Sequence, residues 1–197
     1  MQVKEGDAMS KFMGRFDHPE NGLQFYRRVT KKNLLEIVTA YDMHINGKSI
    51  DKIRIGFREY NNNQNSGSKV TGKIDFFFDI QDFDLLCTNI LSGNVYGRVK
   101  RRQNPENIYF YKGGTERSTG RIISKMMVIS PSNKGVFLSV YTGPGRKNST
   151  GAIMPLYKVN NAEHKISIAM DTEELKKFAI QGKRALDFYY DYYFKRI

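Results

Sequence analysis

The residues of this chain best placed to do chemistry are cations and aromatic rings that share strand-like stretches. Within Ser49–Tyr60, Ile53, Ile55 and Phe57 alternate with Lys52, Arg54, Gly56 and Arg58, which sets three cations on one face with Tyr60 at its end. Within Val70–Phe78, Ile74, Phe76 and Phe78 point one way, so Phe77 points the other way beside Lys73. Further on, Arg121 and Lys125 share a face, and Phe137 and Tyr141 alternate away from Val136, Leu138 and Val140. Cations neutralise phosphates and rings stack on unpaired bases, which is the chemistry that a single nucleic-acid strand requires. Arg98, Lys100 and Arg101 of a basic stretch and Arg146 and Lys147 of GPGRKNSTG complete the candidate nucleic-acid-binding set.

The totals agree with a polyanion partner. The 197 residues carry 32 Lys and Arg against 20 Asp and Glu, a net charge of +12, while 40% hydrophobic residues supply a real core. Catalytic chemistry is hard to assemble. The three histidines, His18, His44 and His164, lie far apart with no ligand partner at metal spacing, and no G-x-S-x-G elbow occurs. GPGRKNSTG lacks phosphate-loop spacing, and Pro144 removes an amide donor. No catalytic residue, metal site or cofactor is therefore expected. Asp75, Asp79, Asp82 and Asp84 could make a metal-dependent nuclease, but Asp79 and Asp82 already read as helix caps. Neither helix pattern offers a duplex-reading face. The ligand expected first is single-stranded DNA with little sequence preference; RNA stands as the alternative, because stacking and phosphate contacts do not read the 2′-hydroxyl. The nuclease is the reading from another class, and a purely structural oligomer whose basic faces pair with acidic protein surfaces is a fourth.

The lone cysteine, Cys87, excludes an internal disulfide and reads as a small core residue. No apolar run approaches the roughly 20 residues that span a bilayer, and Met1–Arg15 has no signal core, so a cytoplasmic setting without membrane contact is expected.

The elements that must position these residues are repeated. KIDFFFDIQDFDLLCTNILSG at Lys73–Gly93 overlays KISIAMDTEELKKFAIQG at a constant offset of 92: Lys165 on Lys73, Ile166 on Ile74, Asp171 on Asp79, Glu174 on Asp82, Ala179 on Cys87. Each copy is a strand running through an acidic cap into a helix. Asp79 with Asp82 forms a capping-box variant, and Gly93 closes the first helix. Leu23–Val29 reads as a short strand. Asn33–Ile45 fits strand or helix, and the following Asn46-Gly47 favours a strand and hairpin. Asn61–Ser68 and Gly143–Gly151 read as flexible loops. In the second half, Ile108–Lys112, Arg121–Ile129, Val136–Thr142, Ala152–Lys158 and Lys165–Met170 supply strands, and Leu175, Phe178, Ala179, Gly182, Leu186, Tyr189 and Tyr193 give the last helix its buried stripe. Residues 1–22 read as a flexible arm and 23–197 as one domain of two pseudo-repeats, 23–94 and 108–197, joined by a basic linker over 95–107. The rings that end the last helix exceed one stripe, so a homo-oligomer formed through that helix is expected.

STGRIISKMMVISPSNKGVFLSVY, HKISIAMDTEELKKFAIQGKRAL and the Lys73–Gly93 segment together resemble the Whirly family of single-stranded-DNA-binding proteins over about two-thirds of the chain. That family's lysine-glycine-lysine stretch is absent, with SKVTGKI a loose substitute on a later strand. The resemblance implies an α+β fold of two pseudo-repeats, each an antiparallel sheet of about four strands followed by a helix. It also implies helix-mediated oligomers and a single strand held between or across sheet edges, and it transfers no catalytic residue.

Overall fold

A computed structural model describes residues 22–45, 48–61, 69–101, 109–117 and 119–194. Residues 1–21 of the expected arm, Asn46-Gly47, residues 62–68 of the first polar loop and residues 102–108 lie outside this description.

Two antiparallel sheets form the frame. The first runs β1 (Gln24–Val29), β2 (Asn33–Ile45), β3 (Lys48–Asn61), β4 (Lys69–Asp79) in spatial and sequence order. It leads into α1 (Ile80–Leu91) and α2 (Asn94–Arg101). The second contains β5 (Tyr109–Glu116), β6 (Ile122–Ser132) and β7 (Gly135–Lys147); β9 (His164–Asp171) pairs with the first part of β7 and the short β8 (Ile153–Pro155) with its end. The chain closes with α3 (Thr172–Phe194). The α+β expectation of two sheets, each followed by a helix, is met, and Asn33–Ile45 is a strand.

The duplication extends well beyond the stretch where it is legible as sequence. Asp79 ends β4 opposite Lys52 of β3, and Asp171, 92 positions later, ends β9 opposite Gly135 of β7. Ile37 faces Ile55 on β3 as Ile129 faces Leu138 on β7. The mates Ile74 and Ile166, Phe76 and Ile168, Phe78 and Met170, Leu86 and Phe178, Cys87 and Ala179 are all buried in one continuous core. Period-two alternation in the strands and three-and-four spacing in the helices put these apolar groups on the facing surfaces. The halves interlock: β4 lies beside β6 and β7, β9 lies beside β2 and β3, and α1 packs on α3. The helices meet at Gly182, where a Cβ would stand 2.6 Å from the Cys87 Sγ and 2.9 Å from the Phe83 ring. The Tyr41 hydroxyl donates to the Ala185 carbonyl at 2.9 Å, tying β2 to α3.

Several local expectations are corrected. Residues 95–101 of the expected linker belong to the helix Asn94–Arg101, anchored by Val95, which is fully buried. GPGRKNSTG is largely strand: β7 continues to Lys147 and turns where the Asn148 Oδ1 accepts from the Ala152 amide at 2.8 Å, with Gly151 at φ 82°. β5 runs through Gly113-Gly114, and a Cβ on Gly114 would lie 2.5 Å from the Ile123 carbonyl oxygen and 2.6 Å from Ile153, so glycine is what lets β8 approach. Asp171 caps α3 by accepting from the Glu174 amide at 2.8 Å, whereas Asp79 makes no cap bond to α1 and turns its carboxylate to Lys52.

Candidate nucleic-acid interface

The register of the first sheet decides the fate of its cations. Gly56 on β3 lies between Glu36 on β2 and Asp75 on β4, one cross-strand row with a bare centre, and a Cβ there would sit 2.6 Å from the Glu36 carboxylate. Arg54 and Arg58 stand two positions to either side and lean into that row. Arg58 donates to Asp75 at 2.7 Å, to Glu36 at 3.1 Å and to its own Phe57 carbonyl at 2.9 Å. Arg54 approaches Glu36 at 3.9 Å, is only 7% exposed, and its buried Nε has no partner among the described residues. Lys52 pairs with Asp79. The expectation of an open basic face at Lys52, Arg54 and Arg58 is therefore corrected: cross-strand carboxylates neutralise it, and the two arginines belong to the scaffold.

An open site lies instead where the two sheets meet. A cleft of about 620 Å³ is lined by Lys73, Lys125, Arg117, Arg121, His164 and Lys165, against Glu59, Asp75 and Glu163. Gly72, Lys73 and Ile74 line it together with their mates His164, Lys165 and Ile166, so it lies on the pseudo-twofold relation between the halves. The same relation explains Lys125. Its Nζ donates to the Asp75 carbonyl on the free edge of β4 at 2.7 Å, and its mate Asn33 donates to the Ser167 carbonyl on the free edge of β9 at 2.8 Å. Each half thus satisfies an unpaired edge carbonyl of the other. Burial pushes the Lys125 pKa below the ordinary lysine value; Asp75 opposes that shift and Arg117 adds to it. The Lys125 ammonium also lies 5.9 Å from the centre of the Phe77 ring, which is 38% exposed at the cleft's flank.

Of the sequence-derived set, the cleft gathers Lys73, Arg121 and Lys125 and flanks Phe77. It does not take in Phe137, which is 40% exposed on the outer face of β7, nor Arg146 and Lys147 on the extended hairpin, where Lys147 pairs with Glu116. Arg98 is exposed on α2; Lys100 and Arg101 end that helix with side chains outside the described set. Tyr141 is a correction: it is buried with Met126 and Val128 beneath Tyr157, Val159 and Ala162, and the Lys165 ammonium lies 5.3 Å from its ring centre. The covering segment is an insertion of the second half that alternation along β7 does not foretell. Arg117, His164 and Lys165 were absent from the set, although the 92-residue offset alone pairs Lys165 with Lys73. The acids imagined as a nuclease cluster are dispersed: Asp75 pairs with Arg58, Asp79 with Lys52 and Asp84 with Lys183. Among the described residues no group of three or more His, Cys, Asp or Glu is arranged to hold a metal ion.

No protein-family model and no curated protein matches the chain. The fold, however, is Whirly-like. The plant transcriptional regulator PBF-2 superposes with a TM-score of 0.51 at 10% identity, covering 88% of this chain and 85% of its own. WHY1 from Arabidopsis thaliana matches with a TM-score of 0.49 at 10% identity, over 83% of this chain and 82% of its own.

Proposed function

We propose that the protein binds single-stranded nucleic acid, DNA first, with little regard to base sequence, and that the strand follows the cleft between the two sheets past Phe77. The observation that carries this reading is the convergence of Lys73, Arg117, Arg121, Lys125 and Lys165 at the sheet junction, beside a half-exposed ring. Backbone phosphates meet the cations and release their counterions, while a base stacks on Phe77. A Whirly-like fold supports the same reading. No step of it requires a reaction, so the protein acts as a binder rather than an enzyme. A single buried thiol suits the reducing cytoplasm. Leu85 on α1 and Ile180 and Tyr190 on α3 are exposed, which supports a second copy of the chain packing on the helices.

Fluorescence anisotropy with single-stranded DNA, duplex DNA and RNA of one length tests the reading. Removing one cation that meets a phosphate of a single strand lowers affinity about 8-fold at about 50 mM salt and about 3-fold at about 200 mM, from the slope of about −0.7 per neutralised phosphate. Lys73→Ala with Lys165→Ala removes two such cations and flattens the salt dependence accordingly. Equal affinity for duplex and single strand, or an unchanged slope in the double variant, refutes the proposed path. Tighter binding of RNA favours the alternative ligand.

A further inference from the structure

Of the three carboxylates that line the cleft assigned to phosphates by the proposed function, Glu163 sits directly on a cleft arginine. The Arg121 guanidinium donates through one terminal nitrogen to both oxygens of Glu163, at 2.9 and 3.0 Å, so the carboxylate sits as a phosphate would. Both side chains are well exposed, 55% for Arg121 and 42% for Glu163, and a pair so exposed adds little to the stability of the fold. Nor does the fold require an acid at that position. The repeat mate of Glu163 is Thr71, which lines the same cleft from the other half and whose hydroxyl donates to the Glu59 carbonyl. The backbone role of Glu163, donation of its amide to the Thr142 carbonyl at 2.9 Å, is independent of its side chain. A carboxylate has thus been placed on a cleft arginine at a site where the symmetric frame accepts threonine.

Resting on the cleft as the strand's path, we propose that Glu163 is an intramolecular competitor for the phosphate seat on Arg121 and sets the affinity threshold of the site. In the free protein it shields Arg121. A polyanion displaces it once while neutralising several cations, whereas a single small anion neutralises one cation against the same cost. Lys165, two residues after Glu163, carries no carboxylate partner among the described residues and instead lies over the Tyr141 ring, so it remains available as a first point of attachment.

The test is a double-mutant cycle on the full chain, read by anisotropy with a single-stranded oligonucleotide. Glu163→Gln keeps the shape of the side chain and removes the competing charge. It should tighten binding about two- to five-fold at low salt, the value of an exposed pair that no longer has to be broken. The salt slope should stay close to that of the parent, because displacement already places a phosphate on Arg121 in both complexes; a slope steeper by about 0.7 would mean that the strand leaves Glu163 in place in the parent and would overturn the displacement. Glu173→Gln, which removes an equal charge from the first turn of α3 where Glu173 pairs with Lys176, controls for net charge. Arg121→Ala should abolish the gain from Glu163→Gln in the double variant. If Arg121→Ala weakens binding but Glu163→Gln tightens it no more than Glu173→Gln does, the competitor role is overturned while the cleft stands. If Arg121→Ala, Lys73→Ala and Lys165→Ala all leave affinity unchanged, the cleft itself is overturned and the competitor role falls with it. A loss of thermal stability in Glu163→Gln without a gain in affinity would assign the pair to the scaffold.

Discussion

Replacing Arg58 by alanine separates scaffold from interface more sharply than any other change in the chain. Arg58 is 12% exposed and bridges Asp75 and Glu36, themselves 15% and 14% exposed. Its removal strands two carboxylates in a shielded row. Breaking a fully buried pair costs about 3–5 kcal/mol, and a hydrogen bond to a charged group contributes about 1.5–3 kcal/mol. Residual solvent access lowers that range, and Arg54 at 3.9 Å from Glu36 and Lys73 at 3.7 Å from Asp75 remain as partial partners. The expected loss is about 2–4 kcal/mol, a large share of the usual stability of a domain. With a urea slope near 2 kcal/mol per molar, the unfolding midpoint should fall by about 1–2 M. Arg58→Lys should recover only part of this, because an ammonium cannot hold both carboxylates in a planar fork. Affinity for a single strand, measured on folded protein well below the new midpoint, should remain within about two-fold of the parent, since a phosphate pairing would be worth about 8-fold at low salt. An unchanged midpoint together with such a drop in affinity would show Arg58 facing the ligand and would refute the argument from register.

Phe77→Ala should weaken single-strand binding by about 1–3 kcal/mol while leaving the melting temperature nearly unchanged, whereas Tyr141→Ala should lower the melting temperature because its ring is buried under Tyr157; the reverse pattern in calorimetry and anisotropy would invert both assignments. Gly182→Leu should destabilise the fold severely, because the Cβ alone would lie 2.6 Å from Cys87 and 2.9 Å from Phe83, and unaltered denaturant unfolding would mean that the helices do not cross there. Burial pushes the Cys87 thiol and the Tyr157 phenol up to about 12 and raises Tyr26 and Tyr41 as well. Groups whose pKa rises on folding stabilise below their unfolded values, here 9.0 and 10.0, so unfolding free energy should fall steadily from about pH 9 to 12; a flat profile would contradict the burial.

How much of this was legible in the chain depended on whether the information was local. The strand at Ser49–Tyr60, the strand into helix at Lys73–Gly93 and its copy at Lys165–Tyr193 declare themselves through alternation and three-and-four spacing, and those elements stand where the pattern puts them. The offset of 92 even contains the pairing of Lys73 with Lys165 that defines the cleft. For Arg54 and Arg58 the deciding information is not local. Alternation says which face a side chain takes, but only the register of β2 against β3 and of β3 against β4 brings Glu36 and Asp75 to Gly56. The same holds for Tyr141, whose cover is a segment from beyond the end of β7 that packs back across the sheet. The helix at Asn94–Arg101 was hidden by its cations, since the apolar anchor that matters there is Val95.

Net charge is consequently a poor guide to where a polyanion binds. The excess of +12 is what remains after every acid is counted, and it does not say which cations are paired in place: Arg58 is held by Glu36 and Asp75, Lys52 by Asp79, Lys147 by Glu116, Lys183 by Asp84 and Arg28 by Glu174. The cleft keeps lysine at both mates Lys73 and Lys165, while other mate pairs around it diverge. The core positions of the two halves stay apolar on both sides, because one continuous core admits no alternative. At the sheet junction the mates part: Lys125 stands where the other half has Asn33, Glu163 where it has Thr71, and Arg121 where it has Val29. Lys125 and Asn33 do the same structural work at the facing strand edge, so the extra charge at Lys125 is not needed for the fold. Under the proposed function, the charge that one half carries where the other tolerates a neutral residue serves the ligand. Pairs of positions, and not totals, therefore direct attention to the β5–β6 flank of the cleft.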